Sequence, residues 1–191
     1  MKNKFLYQLI VGLGNPGSPY ASTYHNAGWL ALDCFIKKTA ETMTLAKKGK
    51  QTSFEFFKFN NDDKENIIFV KPLTFMNESG KAVLAAMRYF SAKDKKIKPK
   101  EILIIHDDAD IELGKIKLSF GQGAAGHHGV ESVIKNLKTK NFWRIRIGIR
   151  PKTPNDKNQA PKKKAGGFVL EKITPADKLV LERLFESGLT F

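Results

Sequence analysis

The chain is predicted to fold as a single-domain α/β three-layer sandwich, a mixed and mostly parallel sheet with helices on both faces. Three observations predict it. Two short, fully apolar runs bounded by turn or polar residues, 9–11 and 102–105, have the make-up of strands buried on both faces. Segments with apolar residues at helical spacing alternate with these runs and with stretches of strand-like alternation. The length of 191 residues suits one domain spanning 1–191, able to bury about 70% of the surface its unfolded form exposes.

The elements follow in order. Leu9, Ile10 and Val11 run into a turn of Gly12, Gly14, Pro16 and Gly17, and the chain leaves it through Ser18, Tyr20, Ser22, Thr23, Tyr24, His25 and Asn26. Trp29, Leu32 and Ile36 then recur at helical spacing, ending near Lys37 and Lys38. Residues 39–53 are polar and lysine-rich and suggest no element. Phe54, Phe56, Phe57 and Phe59, interrupted by Glu55 and Lys58, predict a strand that turns through 60–64 into a second strand over 67–71. Pro72 ends this hairpin, and a helix follows with Val83, Met87 and Phe90 on one face. The aromatic residues here read as core, not as a platform for stacked bases.

The basic linker KDKKIKPK precedes the second apolar strand, which ends in HDDAD. Residues 115–120 alternate like a half-exposed strand, and the turn GQGAAGHHG leads to a helix marked by Val130, Val133, Ile134 and Leu137. In FWRIRIGIR strict alternation puts Arg144 and Arg146 on a wet face, opposite Ile145, Ile147 and Ile149. Residues 150–167, with five lysines among Pro, Gly and Asn, read as a mobile basic loop. Thr174, Pro175 and Asp177 have the form of an N-cap with proline in the first turn, opening a last helix through Leu181, Leu184 and Phe185.

Composition narrows the setting. Cys34 is the only cysteine and can form no internal disulfide, which favours a reducing compartment. The N-terminal apolar run is too short for a signal peptide, and no run approaches a membrane span. A cytoplasmic protein without membrane attachment is expected. Lysine and arginine exceed aspartate and glutamate by 33 to 19, a net charge of +14, which suits a polyanionic partner or a solvated lysine-rich surface.

The strand ends carry the candidate chemistry. Asn15 to His25 follow the first strand, Met76 and Asn77 follow the hairpin, and Asp107 follows the second apolar strand, so all three corners are expected at one edge of the sheet. A carboxylate such as Asp107 can fix the tautomer of an imidazole such as His25 and stabilise its cation, leaving the other nitrogen to take a proton from water. Two asparagine amides could hold a carbonyl and its developing oxyanion. No serine sits in a nucleophile-elbow setting. The duller readings are a helix-start histidine, an N-cap at Asn77, a turn former at Asn15 and a strand-end cap at Asp107. Residues 12–17 also spell GxGxxG, but Pro16 and Pro19 break the turn and Asp33 lies inside a helical pattern, against a dinucleotide. A metal at His106, Asp107, Asp108 and Asp110 is disfavoured because a strand would aim alternate side chains to opposite faces.

In order and spacing, GLGNPGSPYASTYHNAG, KPLTFMNESGKAV, ILIIHDDADIELGKIKLSFG, GHHG and FWRIRIGI closely resemble the bacterial-type peptidyl-tRNA hydrolase family, over residues 9–171. The resemblance implies hydrolysis of the ester between a peptide and the tRNA 3′ ribose, by a monomer needing no metal or cofactor. It makes His25 the base and Asp107 its supporting carboxylate. It also makes Asn15 and Asn77 the amides that place substrate and water, Tyr20 and Met76 lining of the peptidyl site, and Lys117 and Arg146 grips on tRNA phosphate. A second reading is a non-catalytic RNA-binding member of the same fold, like the organelle splicing factors that resemble these hydrolases.

The chain departs from the family pattern at several positions. His128 stands where the family usually has an asparagine that helps hold water and substrate, and an imidazole cannot donate and accept at one end as an amide does. Tyr24 replaces the arginine that commonly precedes the histidine, and Ser119 replaces a second lysine, so weaker tRNA contacts are expected at both. His127 is expected to brace the turn, and GQGAAG to stiffen it. The end at Phe191 suggests a C-terminal helix shorter than the family's usual one.

Overall fold

The computed structural model describes residues 7–60, 66–93, 96–151 and 165–187. The elements are β1 (Leu9–Gly12), α1 (Ala27–Thr42), β2 (Thr44–Lys50), β3 (Phe54–Asn60), β4 (Asn66–Pro72), α2 (Ser79–Lys93), β5 (Ile102–Glu112), β6 (Ile116–Phe120), α3 (His128–Leu137), β7 (Trp143–Arg150), α4 (Ala165–Phe168) and α5 (Pro175–Ser187). The strands form one seven-stranded sheet in the order β2, β3, β4, β1, β5, β7, β6. β1 pairs parallel with β4 and β5, and β5 parallel with β7, while β2, β3 and β6 run antiparallel to their neighbours.

Alternation along the central strands builds two cores. Ile10, Phe69, Leu103, Ile105, Ile145 and Ile147 point to the face covered by α1 and α5. Leu9, Val11, Ile68, Val70, Ile102 and Ile104 point to the face covered by α2 and α3. Fully burying each such side chain is worth about 1.5–3 kcal/mol, so a one-residue slip in register would cost far more than any local propensity could return. The predicted three-layer sandwich is therefore the observed one. The phenylalanines of β3 are core, as expected: Phe54 and Phe56 are buried and meet Phe90 at ring-centroid distances of 6.4 and 5.0 Å.

The structure corrects several sequence expectations. Residues 44–50, given no element, form the edge strand β2, whose side chains are nearly all exposed; a strand wet on both faces shows no apolar alternation to read. α1 runs on to Thr42, past Lys37 and Lys38. β5 does not end at Ile105 but carries HDDAD on to Glu112, because β7 continues to pair with it. β3 and β4 pair as the predicted hairpin, whose turn residues 61–65 lie outside the described residues. Of the expected loop over 150–167, Arg150 ends β7 and residues 165–168 form α4, while 152–164 lie outside the described residues.

One close approach positions the site. A Cβ on Gly12 would stand 2.5 Å from the Gly28 carbonyl oxygen, and one on Gly28 only 2.4 Å from that of Ile105. This glycine pair seats the first turn of α1 on the ends of β1 and β5. His25, two residues before that helix, is thereby delivered to the carboxyl edge of the sheet.

Candidate active site

His25 lies in a 3₁₀ turn, Tyr24–Asn26, that runs directly into α1. Asp107 sits on β5 beyond the end of β1, where Gly12 pairs with Ile105. The predicted pair meets: His25 Nδ1 is 2.9 Å from Asp107 Oδ1 and 3.0 Å from Oδ2. Asp107 is 2% exposed. Burial alone would raise its pKa, but the charge and hydrogen bonds of His127, followed by those of His25, outweigh burial and hold it well below the usual carboxylate range. An ionised carboxylate only accepts, so His25 Nδ1 carries the proton that it donates. The neutral ring then keeps a lone pair on Nε2, the form a general base requires.

A second imidazole shares the same carboxylate. His127 Nε2 is 2.9 Å from Asp107 Oδ1. Its other nitrogen, Nδ1, accepts from the backbone N–H groups of Gly129 and Val130 at 3.1 and 3.3 Å, making His127 the N-cap of α3. The brace expected of His127 is thus present, and its hold on Asp107 is an addition that the sequence did not disclose. His25, Asp107 and His127 could hold a metal by residue type and proximity, their ligand atoms lying within 4.8 Å of one another. The donor chemistry fits poorly, because with Nδ1 held by two donors, His127 Nε2 bears a proton and offers no lone pair.

His106, adjacent on β5, is buried, and burial and then the neighbouring charge of His127 push its pKa well below the ordinary histidine value. Leu13 N still donates to Ile105 O, but two residues further along no β1 residue remains to bond the Asp107 carbonyl. His106 Nδ1 caps it at 2.6 Å. The His106 ring also stands edge-on to that of His127, with centroids 4.6 Å apart.

The other predicted residues differ in their surroundings. Asn15 is buried, and its Oδ1 accepts from Met76 N at 2.7 Å, which ties the first polar corner to the second. Asn26, not singled out in the sequence, grips the Asn15 backbone from both sides: its Oδ1 accepts from Asn15 N at 2.8 Å and its Nδ2 donates to Asn15 O at 3.0 Å. Met76 is buried, whereas Asn77 beside it is exposed. Tyr20 meets the exposed Phe75 edge-on at 6.3 Å, an aromatic rim that the sequence placed only in part. His128 is not brought to the centre. It is exposed and its Nδ1 lies 3.2 Å from Glu131.

The family model for peptidyl-tRNA hydrolase matches residues 9–190. The chain belongs to the peptidyl-tRNA hydrolase family. It is similar to the peptidyl-tRNA hydrolase of Mesoplasma florum, 47% identical over 142 residues that cover 74% of this chain and 71% of the relative. It is similar to that of Mycoplasma mycoides over nearly its whole length, at 36% identity with 96% and 90% covered. Among solved structures, the crystal structure of peptidyl-tRNA hydrolase from Acinetobacter baumannii superposes with a TM-score of 0.77 at 31% identity, covering 97% of this chain and 86% of that one.

Several expectations, drawn from strand alternation and from the family pattern, change in the structure. Arg144 does not share a wet face with Arg146: it is 2% exposed and donates from Nη2 to Gly123 O at 2.9 Å beneath the turn 121–127. Arg146 is partly buried and its Nε donates to Asp108 at 2.7 Å. Lys115 precedes β6 and pairs with Glu112 at 2.7 Å, whereas Lys117 is exposed on the strand itself. Tyr24, expected to weaken tRNA contacts in place of arginine, is 4% exposed and turns inward to Asp177.

Proposed function

We propose that this chain hydrolyses the ester joining a peptide to the 3′ ribose of tRNA, with His25 as base and Asp107 as its support. The observation that carries the reading is the pair of short contacts from His25 Nδ1 to an ionised, buried Asp107, which leaves Nε2 as the proton acceptor. In this reading water loses a proton to His25 Nε2 as its oxygen attacks the ester carbonyl. The tetrahedral intermediate collapses, the bond to the ribose 3′ oxygen breaks, and the imidazolium returns its proton to that oxygen. The peptide acid then loses its remaining proton to solvent, so the products are a free peptide carboxylate and a tRNA with its 3′ hydroxyl.

Asn15 and Asn77 supply amides for the carbonyl, and Tyr20 and Met76 the peptide side of the pocket. Lys117 and Arg146 neutralise phosphate, in keeping with the net charge of +14. No resident metal or cofactor is needed for these steps. We place the protein in the cytoplasm as a monomer, one domain over 1–191, on its single cysteine and on the family resemblance. Among the described residues no helix is long and apolar enough to cross a membrane.

A non-catalytic RNA-binding role is not favoured, since the family match and the names of the relatives are those of hydrolases. The deciding experiment offers the protein N-blocked aminoacyl-tRNA and free aminoacyl-tRNA and follows release. Cleavage of the blocked form, lost by about 10²–10⁴-fold in His25→Ala, is expected. Tight tRNA binding without release at any pH would overturn the reading.

A further inference from the structure

The loop that carries His25 is laced to a distant part of the chain. His25 N donates to Val169 O at 2.7 Å, Tyr24 N to Glu171 O at 3.2 Å, and Ile173 N to Ser22 O at 2.8 Å. Lys172 Nζ donates to Pro19 O at 2.6 Å, and Thr23 forms an antiparallel bridge with Lys172. A loop at the sheet edge has backbone donors that neither β1 nor α1 can satisfy, and residues 169–173 supply their partners. The catalytic loop is thus held by the segment between α4 and α5 as much as by the elements on either side of it in sequence.

The lacing is closed by side chains. The Tyr24 phenol donates to Asp177 Oδ2, and its ring stands edge-on to Phe168 with centroids 6.1 Å apart. Asp177 is in the first turn of α5, where its own backbone N–H donates to Thr174 Oγ1 at 3.1 Å. Tyr24 is 4% exposed and Phe168 equally so. A phenol in a dry site beside a carboxylate stays a proton donor: burial first, and then the Asp177 hydrogen bond, push the Tyr24 pKa up to about 12. The position of α5 is thereby transmitted to the residue immediately before His25.

We infer that residues 168–177 act as a positioning strap for the catalytic loop and that Tyr24 and Asp177 are its lock, neither of them touching substrate. The inference rests on the proposed role of His25 as base. A base must be held to within a fraction of an ångström of its productive position, and the strap performs that task from the far end of the sequence.

The test measures kcat and KM on N-blocked aminoacyl-tRNA for the wild type, Tyr24→Phe, Asp177→Ala, the double variant and Asp177→Asn. Each single variant is expected to lose roughly five- to tenfold in kcat, short of the 10²-fold that a misplacement of about 1 Å can cost, with KM changed less than about twofold. The double variant should lose no more than the worse single one, and Asp177→Asn, which keeps an acceptor oxygen, should recover most of the rate. Unchanged kcat in a folded Asp177→Ala protein overturns the inference, and so does a rise in KM alone or additive losses in the double variant. Should Tyr24→Phe fail to fold, the two Asp177 variants decide. A wild type that releases nothing refutes the hydrolase reading instead, which keeps the two failures apart.

Discussion

His127 donates its Nε2 proton to Asp107 across 2.9 Å, while its Nδ1 caps the first turn of α3. One ring therefore links the helix to the carboxylate that supports His25. Two imidazoles on one buried carboxylate hold it from two directions, whereas a single donor would leave it free to rotate.

The consequence is a coupling that can be measured. His127→Ala should cost about 1–3 kcal/mol of stability by removing a charge-assisted bond and a helix cap together. In urea titrations His127→Ala and Asp107→Asn should be strongly non-additive, because each leaves the other's partner unsatisfied. Additive losses would mean that the contact carries no energy.

How stability depends on pH follows from His106. Its folded pKa lies below the ordinary histidine value because burial, and then His127, disfavour the cation. The unfolded chain takes up that proton below about pH 6.5. Stability is therefore fully present above that pH and declines as pH falls towards the folded pKa, by up to about 1.4 kcal/mol per pH unit for the one proton. Asp107, also depressed, adds its own loss only in the lower window where free carboxylates protonate, near pH 4 and below. His106→Phe should be less stable than the wild type at pH 7.5, for want of the cap on the Asp107 carbonyl, yet show a flatter decline to pH 5.5. An unchanged slope in urea unfolding would refute the assignment.

Much of this was legible in the sequence, and the exceptions share a cause. Helices α1, α2 and α3 and the buried strands announce themselves because one face must be apolar, and His25 and Asp107 announce themselves by standing where such runs stop. β2 was illegible because an edge strand wet on both faces imposes no alternation. The polar residues HDDAD read as the end of the apolar strand, and what carries the strand through them to Glu112 is pairing with β7, a property of the partner. Arg144 looked wet on strand parity, but the turn 121–127 folds over it. Asn26, and the hold of His127 on Asp107, act through contacts between residues far apart in sequence, which neither period nor propensity reports.

His128 gives a prediction on activity. Its imidazole is exposed and turned to Glu131, so the amide usual at this position is missing and nothing from His128 replaces it at the centre. The wild type should turn over at a reduced but real rate. His128→Asn should leave kcat/KM unchanged or raise it, by no more than the roughly tenfold that one recovered hydrogen bond is worth. A sharp loss in His128→Asn would mean that the imidazole itself has a role in the reaction.

Salt should separate the cations. Lys117 is exposed on β6, while Arg144 is buried and donates from Nη2 to Gly123 O. If phosphate contacts supply affinity, kcat/KM falls as salt rises, and the slope of its logarithm against log salt counts the neutralised phosphates. Lys117→Ala should make that slope shallower by about 0.7–0.9, and Arg144→Ala should leave it unchanged while lowering stability. Arg146 stands between the two: Arg146→Ala removes one phosphate partner and also uncovers the negative charge of Asp108. Its loss in kcat/KM at low salt should therefore exceed that of Lys117→Ala. Adding Asp108→Asn should restore part of that loss, and a slope altered by Arg144→Ala alone would contradict this division of roles.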